Sequence, residues 1–261
     1  MANEAGQEII EFALPEGPEV ACINHYETVA LWEEIDGDSP YAAAVDGLTQ
    51  DEMILDVGAH IGLASVFFAQ RIPGVRILSF EPAGPMAECL ERNLAKHVEN
   101  GTPLKVAVGA EEGEREFFHY TFMSSKSTMY TDDVEEELNM EVFMANAGFD
   151  EGQKSMLRQY DRVRERSTVE VTTLTRAFEQ YDIKNVGLLK IDVERAELDV
   201  LEGLDEELWP RVRRLLVEVH DTEGRLGKIV GSLAARGYEV RVTQAPAFSG
   251  GTIFMVFATR G

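Results

Sequence analysis

The sequence is poor in cysteine, in basic residues and in long apolar runs, and each shortage removes a class of function. Two cysteines, Cys22 and Cys89, are too few for a disulfide framework or a thiolate metal cluster. That usage fits a reducing cytoplasm, and the N-terminus lacks the basic-then-apolar pattern of a secretory signal. Lysine and arginine total 24 against 47 acids, for a formal charge of -23. A surface of that sign repels phosphate backbones and anionic headgroups, which sets nucleic acid and membrane aside as partners. No apolar run approaches the roughly 18 residues of a membrane-spanning helix, and no solenoid-period repeat is present. Arg211, Arg213 and Arg214 form a local basic cluster that a solvated surface accounts for.

What is present is a hydrophobic content of 44%, enough for a sizeable core, arranged in a regular rhythm. From Met53 onward short apolar runs alternate with amphipathic stretches, the pattern of a parallel sheet covered by helices. Strands are expected over 53–57, 75–80, 104–108, 186–191, 215–219, 238–242 and 252–257. Helices are expected over 61–70, 85–97, 194–202 and 223–236. Two regions depart from the rhythm. Residues 1–50 read as an N-terminal extension of two short strands and a helix, ending in the turn signal "DGDSP". The core then occupies 51–261, interrupted at 131–167 by a polar, helix-prone insertion that suits a lid or a surface elaboration.

The first strand of the core runs into "MILDVGAHIGLASVFFAQ", a strand, a glycine turn and a helix, with Asp56 before the turn and Gly58 and Gly62 within it. Glycines at this turn let backbone approach a nucleotide-like ligand without a Cβ in the way. The dinucleotide fingerprint needs three glycines, and here His60 and Leu63 replace the second and third, which argues against a pyrophosphate. The second strand ends in "ILSFEP", where Glu81 is placed to accept hydrogen bonds from a ribose diol. Adenosine without phosphate, together with a cation that suits carboxylate walls, describes S-adenosylmethionine.

The acids of "LLKIDVERAELDVLEGL" gather at the end of the fourth strand. Asp192 and Glu194 emerge at its rim and can face a reacting group, whereas Glu197 and Asp199 begin a helix, where acids complement the dipole. At the end of the fifth strand "LLVEVHD" offers His220, with Glu218 on the same strand face. An imidazole beside a carboxylate, at the rim where open α/β sheets bind ligands, is a candidate general base. An alternative is a divalent metal, Mg²⁺ or Mn²⁺, held by Asp192, Glu218 and His220 with Glu194.

The segments "NHYET", "SPYAAAVDGL", "ILDVGAHIG", "FEP", "VAVG", "LLKIDVERAELDVLEGL" and "LLVEVHD" together resemble the FkbM-type S-adenosylmethionine-dependent methyltransferases. The strongest motif is Lys190, Asp192, Glu194 and Glu197, with Arg195 standing where the family carries glycine. The resemblance implies a class I methyltransferase fold: α/β, Rossmann-like, seven strands mostly parallel with a final antiparallel strand, and helices on both faces. It implies a cofactor site at Asp56, Gly58, Ala59, His60, Gly62, Glu81 and Pro82, with backbone near Ala107 and Val108 by the adenine. "SSKSTMY" would bring Ser125, Ser127 and Thr128 toward the pocket, and Tyr41 would cover it. "NHYET" and "VEVHD" look like O-methyltransferase domains of polyketide and nonribosomal peptide synthases. The expected function is O-methylation of a small or carrier-protein-tethered metabolite, by a stand-alone enzyme or by part of a larger synthase. Methylation of a carboxylate, nitrogen or carbon, and a catalytically silent nucleoside-binding scaffold, stay open beside it.

Overall fold

The structure is a computed structural model and describes residues 8–37, 39–160 and 163–260. In chain order the first elements are β1 (Ile10–Ala13), β2 (Glu19–Cys22), α1 (His25–Asp36), α2 (Pro40–Val45), β3 (Met53–Val57), α3 (Leu63–Arg71), β4 (Arg76–Phe80) and α4 (Gly84–His97). Next come β5 (Asn100–Leu104), β6 (Ala107–Val108), β7 (Gly113–Tyr120), α5 (Asp133–Asn146), α6 (Glu151–Tyr160) and β8 (Arg164–Thr172). The chain closes with α7 (Leu174–Gln180), β9 (Val186–Ile191), α8 (Glu197–Glu202), β10 (Arg214–His220), α9 (Arg225–Ala235), β11 (Glu239–Thr243) and β12 (Ile253–Thr259).

The main sheet has seven strands in the order β11-β12-β10-β9-β3-β4-β5. β12 runs antiparallel to both its neighbours, and the remaining pairs are parallel. This is the expected class I methyltransferase sheet. From the central pair β3 and β9 the chain winds outward in opposite directions, which opens a crevice beyond their C-terminal ends.

Side chains alternate across the sheet and feed two cores. Ile54, Leu188 and Leu216 point to the face covered by the N-terminal hairpin and α1 to α4, with Trp32, Phe67 and Phe68. Leu55, Leu189 and Val217 point to the opposite face, under α7, α8 and α9. β6, β8 and β7 form a separate three-stranded sheet. Among the described residues no helix is long and apolar enough to cross a membrane.

Three expectations need correction. The third core strand lies at Asn100–Leu104 rather than over 104–108, and Ala107–Val108 leaves the main sheet to pair with β8. "NGTPL" carries no apolar alternation, and as an edge strand bonded to β4 alone it tolerates Pro103. The helix expected from Glu194 begins at Glu197, because Glu194 and Arg195 sit at φ 53° and 79°, outside the helical region. The N-terminal region holds two helices, α1 and α2, rather than one. Asp38 of the "DGDSP" turn, and Asp161 and Arg162 of the insertion, lie outside the described residues.

Candidate active site

A cavity opens over the C-terminal ends of β3, β4, β9 and β10, roofed by α1, the loop before α5, and α5 itself. One end of it rests on the glycine turn. Gly58 has φ +75°, and a Cβ there would lie 1.7 Å from the Asp192 carbonyl oxygen, so the β3 and β9 loops close only over glycine. Beyond it His60 adopts φ 52°, which turns its backbone N–H onto Glu81 at 2.9 Å. The other Glu81 oxygen accepts from Ala83 N–H, also at 2.9 Å. Each carboxylate oxygen keeps acceptor capacity beyond these bonds. Burial pushes the Glu81 carboxyl up to about 7, against the pull of both N–H donors.

Asp56 lies beneath this turn rather than in the cavity wall. It is fully buried, accepts from Ser65 Oγ at 2.6 Å and pairs with Lys190 Nζ at 3.2 Å. Lys190 also donates to Gly58 O at 2.7 Å and pairs with Asp192 at 3.3 Å. Burial opposes the charge on Lys190, but Asp56 and Asp192 hold its pKa above the ordinary range. The chain Asp56–Lys190–Asp192 thus fixes both the glycine turn and the rim acid. Gly62, at φ 89°, starts α3 behind the wall.

Of the remaining sequence candidates, Ala59, Pro82, Ala107, Val108, Ser125, Ser127 and Tyr41 line the cavity. Thr128 does not line it: its Oγ1 bonds to Tyr130 and to the Glu194 carbonyl. His60 Nε2 is 2.8 Å from Ser124 Oγ, which donates to Glu27 at 2.7 Å. Because the serine proton is spent on Glu27, His60 Nε2 is the donor in that contact. Burial keeps this ring's pKa low. Glu27 also accepts from Ser125 N–H at 2.8 Å, so α1 fixes the serine loop beside the glycine turn.

Asp192 stands beside the glycine turn at the tip of β9, and Glu194, Glu218 and His220 continue the wall from there along β9 and β10. His220 is 3% exposed, and its two nitrogens face different carboxylates. Nδ1 lies 3.0 Å from Glu135 Oε1; Nε2 lies 3.0 Å from Glu194 Oε2 and 3.9 Å from Glu218 Oε1. The Nε2 contact is close but poorly aligned, so this buried atom forms no well-directed hydrogen bond. Burial disfavours the charged ring, yet Glu194 and Glu135 raise its pKa well above the ordinary imidazole value. Glu218 is also driven well above the carboxylate range, by burial and then by the charge of Asp192. Ligand atoms of Glu194, Glu218 and His220 lie within 4.8 Å of one another, and Asp192 is not in that group.

Two contributors were not legible in the sequence. Glu34 of α1 lines the cavity, and enclosure followed by the charge of Asp192 raises its carboxyl pKa, although the side chain keeps contact with solvent. Glu135 enters from α5, whose N-cap Asp132 accepts from Val134 and Glu135 N–H. Glu218 was expected to be the carboxylate beside His220; the nearer one on the Nδ1 side is Glu135. An acid in the first turn of a helix ordinarily signals a dipole partner, and that reading conceals Glu135. Farther along the same helix, Met140 and Phe143 join Phe248 and Ile253 in an apolar wall.

The comparisons with known proteins agree with this architecture. A family model described as the methyltransferase FkbM domain matches residues 56–240. The chain is 34% identical over 248 residues to 31-O-demethyl-FK506 methyltransferase FkbM of Streptomyces tacrolimicus, covering 95% of each. It is 32% identical over 269 residues to the AMB antimetabolite synthetase AmbE of Pseudomonas aeruginosa, covering 98% of this chain but 13% of that one. The solved structure of methyltransferase FkbM from Methylobacillus flagellatus KT shares the fold with a TM-score of 0.52 at 12% identity, over 89% of this chain and 52% of that one.

Proposed function

The chain belongs to the FkbM methyltransferase family, and from that premise we propose that it is an S-adenosylmethionine-dependent O-methyltransferase acting on a hydroxyl of a small or carrier-tethered metabolite. The observation that carries this reading is a cavity joining the Gly58–Glu81 cradle to His220. The residues present fit the cofactor. The glycine turn admits a close nucleoside, Glu81 can accept from a ribose diol, and the acids at the far end suit a cation.

When bound, S-adenosylmethionine supplies an electrophilic methyl carbon and a sulfur that departs as a thioether. The protein orients and deprotonates the acceptor. The acceptor O–H proton would pass to the His220–Glu194 pair in its unprotonated-ring form, a form that the raised pKa of His220 makes scarcer and that grows as pH rises, and the oxygen lone pair would form the new bond to the methyl carbon. With S-adenosylmethionine bound, the S–CH₃ bonding electrons would remain with the departing sulfur, and Glu135 and Glu194 would balance the proton taken up at His220. Met140, Phe143 and Phe248 favour an apolar acceptor body, and the surrounding acids disfavour an anionic one. A carrier-tethered acceptor is suggested by the similarity to a synthetase.

Incubation with methyl-labelled S-adenosylmethionine and a panel of neutral alcohols, read by mass spectrometry, tests the proposal. Gain of one methyl on oxygen supports it. Label on an amine, carboxylate or carbon substitutes one of the rival reactions, and cofactor binding by calorimetry without turnover leaves a silent scaffold.

The grouping of Glu194, Glu218 and His220 favours one further reading, a divalent cation held at these three side chains to polarise the acceptor oxygen. Loss of turnover in EDTA, restored by Mg²⁺ or Mn²⁺, supports the cation; undiminished turnover removes it.

A further inference from the structure

The insertion between β7 and β8 contributes more than a cover. Glu135, on the first turn of α5, is almost fully buried and collects donors from its own helix and from three other segments. Its Oε1 accepts from Thr252 Oγ1 at 2.6 Å, from Asn139 Nδ2 at 3.4 Å and from His220 Nδ1 at 3.0 Å. Its Oε2 accepts from Arg195 Nε at 2.6 Å. With Arg195 and Thr252 already donating to it, Glu135 is the acceptor, so the proton between the two groups belongs to His220 Nδ1.

Resting on the reading of His220 given above, we propose that Glu135 is a positioning residue. Carried on the insertion helix, it holds the His220 imidazole with its proton on Nδ1, so that Nε2 is the nitrogen turned toward Glu194 and Glu218 in the cavity wall. The imidazole could otherwise rotate or take the other tautomer. Either would withdraw the working nitrogen from the acceptor. The same arrangement orients the ring whether Nε2 takes a proton or ligates a cation.

Arg195 secures the arrangement. Its backbone, at φ 79°, occupies the left-handed region that favours glycine, and its buried guanidinium reaches α5. It pairs with Glu135 at 2.6 Å and with Glu136 at 3.6 Å, and it donates to Tyr130 O at 3.4 Å. A non-glycine residue in this left-handed conformation is therefore joined to an acidic insertion helix. Arginine accepts an unfavourable backbone conformation and in return ties α5 to the tip of β9.

The test uses the whole protein saturated with S-adenosylhomocysteine and observes the His220 ring nitrogens by ¹⁵N NMR at a pH where the ring is neutral. Wild type is expected to carry the proton on Nδ1. In Glu135→Met, which fills the same space without an acceptor, the proton moves to Nε2 while S-adenosylhomocysteine affinity stays within about twofold. Turnover of the best alcohol from the acceptor panel falls roughly 10–100-fold in kcat, the size expected when an imidazole loses its orienting partner. Because Glu135→Met strands the Arg195 charge, the double variant Glu135→Met/Arg195→Gly is measured beside it, and the same shift is expected. Retention of the Nδ1 proton in both variants, or an undiminished kcat, overturns the proposal. If no alcohol is methylated by wild type, the methyltransferase reading fails, while the nitrogen signals still decide the role of Glu135.

Discussion

At the end proposed to hold the cofactor the surface is shaped by backbone, laid over a buried Asp56–Lys190 pair: His60 and Ala83 N–H grip Glu81, and Gly58 packs against the Asp192 carbonyl. At the acceptor end the contacts run through charged side chains, where His220 meets Glu135 and Glu194, and Arg195 meets Glu135 and Glu136. The first end is drawn from two neighbouring strand-to-turn units and the second from β9, β10 and an insertion that reaches over both. Backbone geometry gives one end a fixed shape that suits an unchanging nucleoside. Side-chain charge makes the other responsive to substitution and to pH, which suits an end that must vary with the acceptor.

The sharpest separation of the two ends comes from His220→Ala. Methyl transfer should fall by roughly two to four powers of ten, the usual worth of a general base. Cofactor affinity by calorimetry should be nearly unchanged; loss of both would merge the ends into one. Gly58→Ala tests the rigid end. With φ +75° and a Cβ driven into the Asp192 carbonyl, it should cost about 3–5 kcal/mol in denaturant unfolding.

Glu81→Ala should weaken cofactor binding by about 1–3 kcal/mol, the loss of hydrogen bonds to a charged group, and leave the His220 ring signals in place. Because burial holds Glu81 near 7 and its ionised form is the better acceptor, affinity in wild type should rise as pH passes upward through that value. A flat profile would count against Glu81 as the diol acceptor.

The smallest effect belongs to the charged end. Glu135 is held below its ordinary value, so its contribution to stability is present above the carboxylate range and is lost as pH falls toward about 2. His220 is held above its ordinary value, so its contribution is complete below the unfolded imidazole pKa of roughly 6.5 and is lost as pH climbs through the raised value. Hydrogen exchange of α5 amides should therefore be slowest, after correction for intrinsic rates, between roughly pH 4.5 and 6.5. An optimum outside that window would break the assignment of α5 docking to these two groups.

The same contrast explains what could be read from sequence. The six strands with strong apolar runs were legible, as was the glycine turn with Glu81, because these are local signals with a fixed period or spacing. β5 was misplaced because an edge strand such as "NGTPL" has only one buried neighbour strand and carries little hydrophobic pattern. Asp56 and His220 were located correctly on their strands, but sequence spacing could not show that Asp56 faces Lys190 and Ser65 beneath the turn. Glu135 was hidden among the acids of the insertion, since nothing local links it to a histidine 85 positions away. Arg195 was visible as a substitution, and its meaning emerged only with its left-handed backbone and its partners on α5.

A crystal structure of the complex with S-adenosylhomocysteine tests the central claim most directly. The account predicts the ribose diol within hydrogen-bonding distance of both Glu81 oxygens and the sulfur directed toward the Asp192–His220 end. A nucleoside bound elsewhere, or one whose sugar leaves Glu81 unengaged, would contradict it.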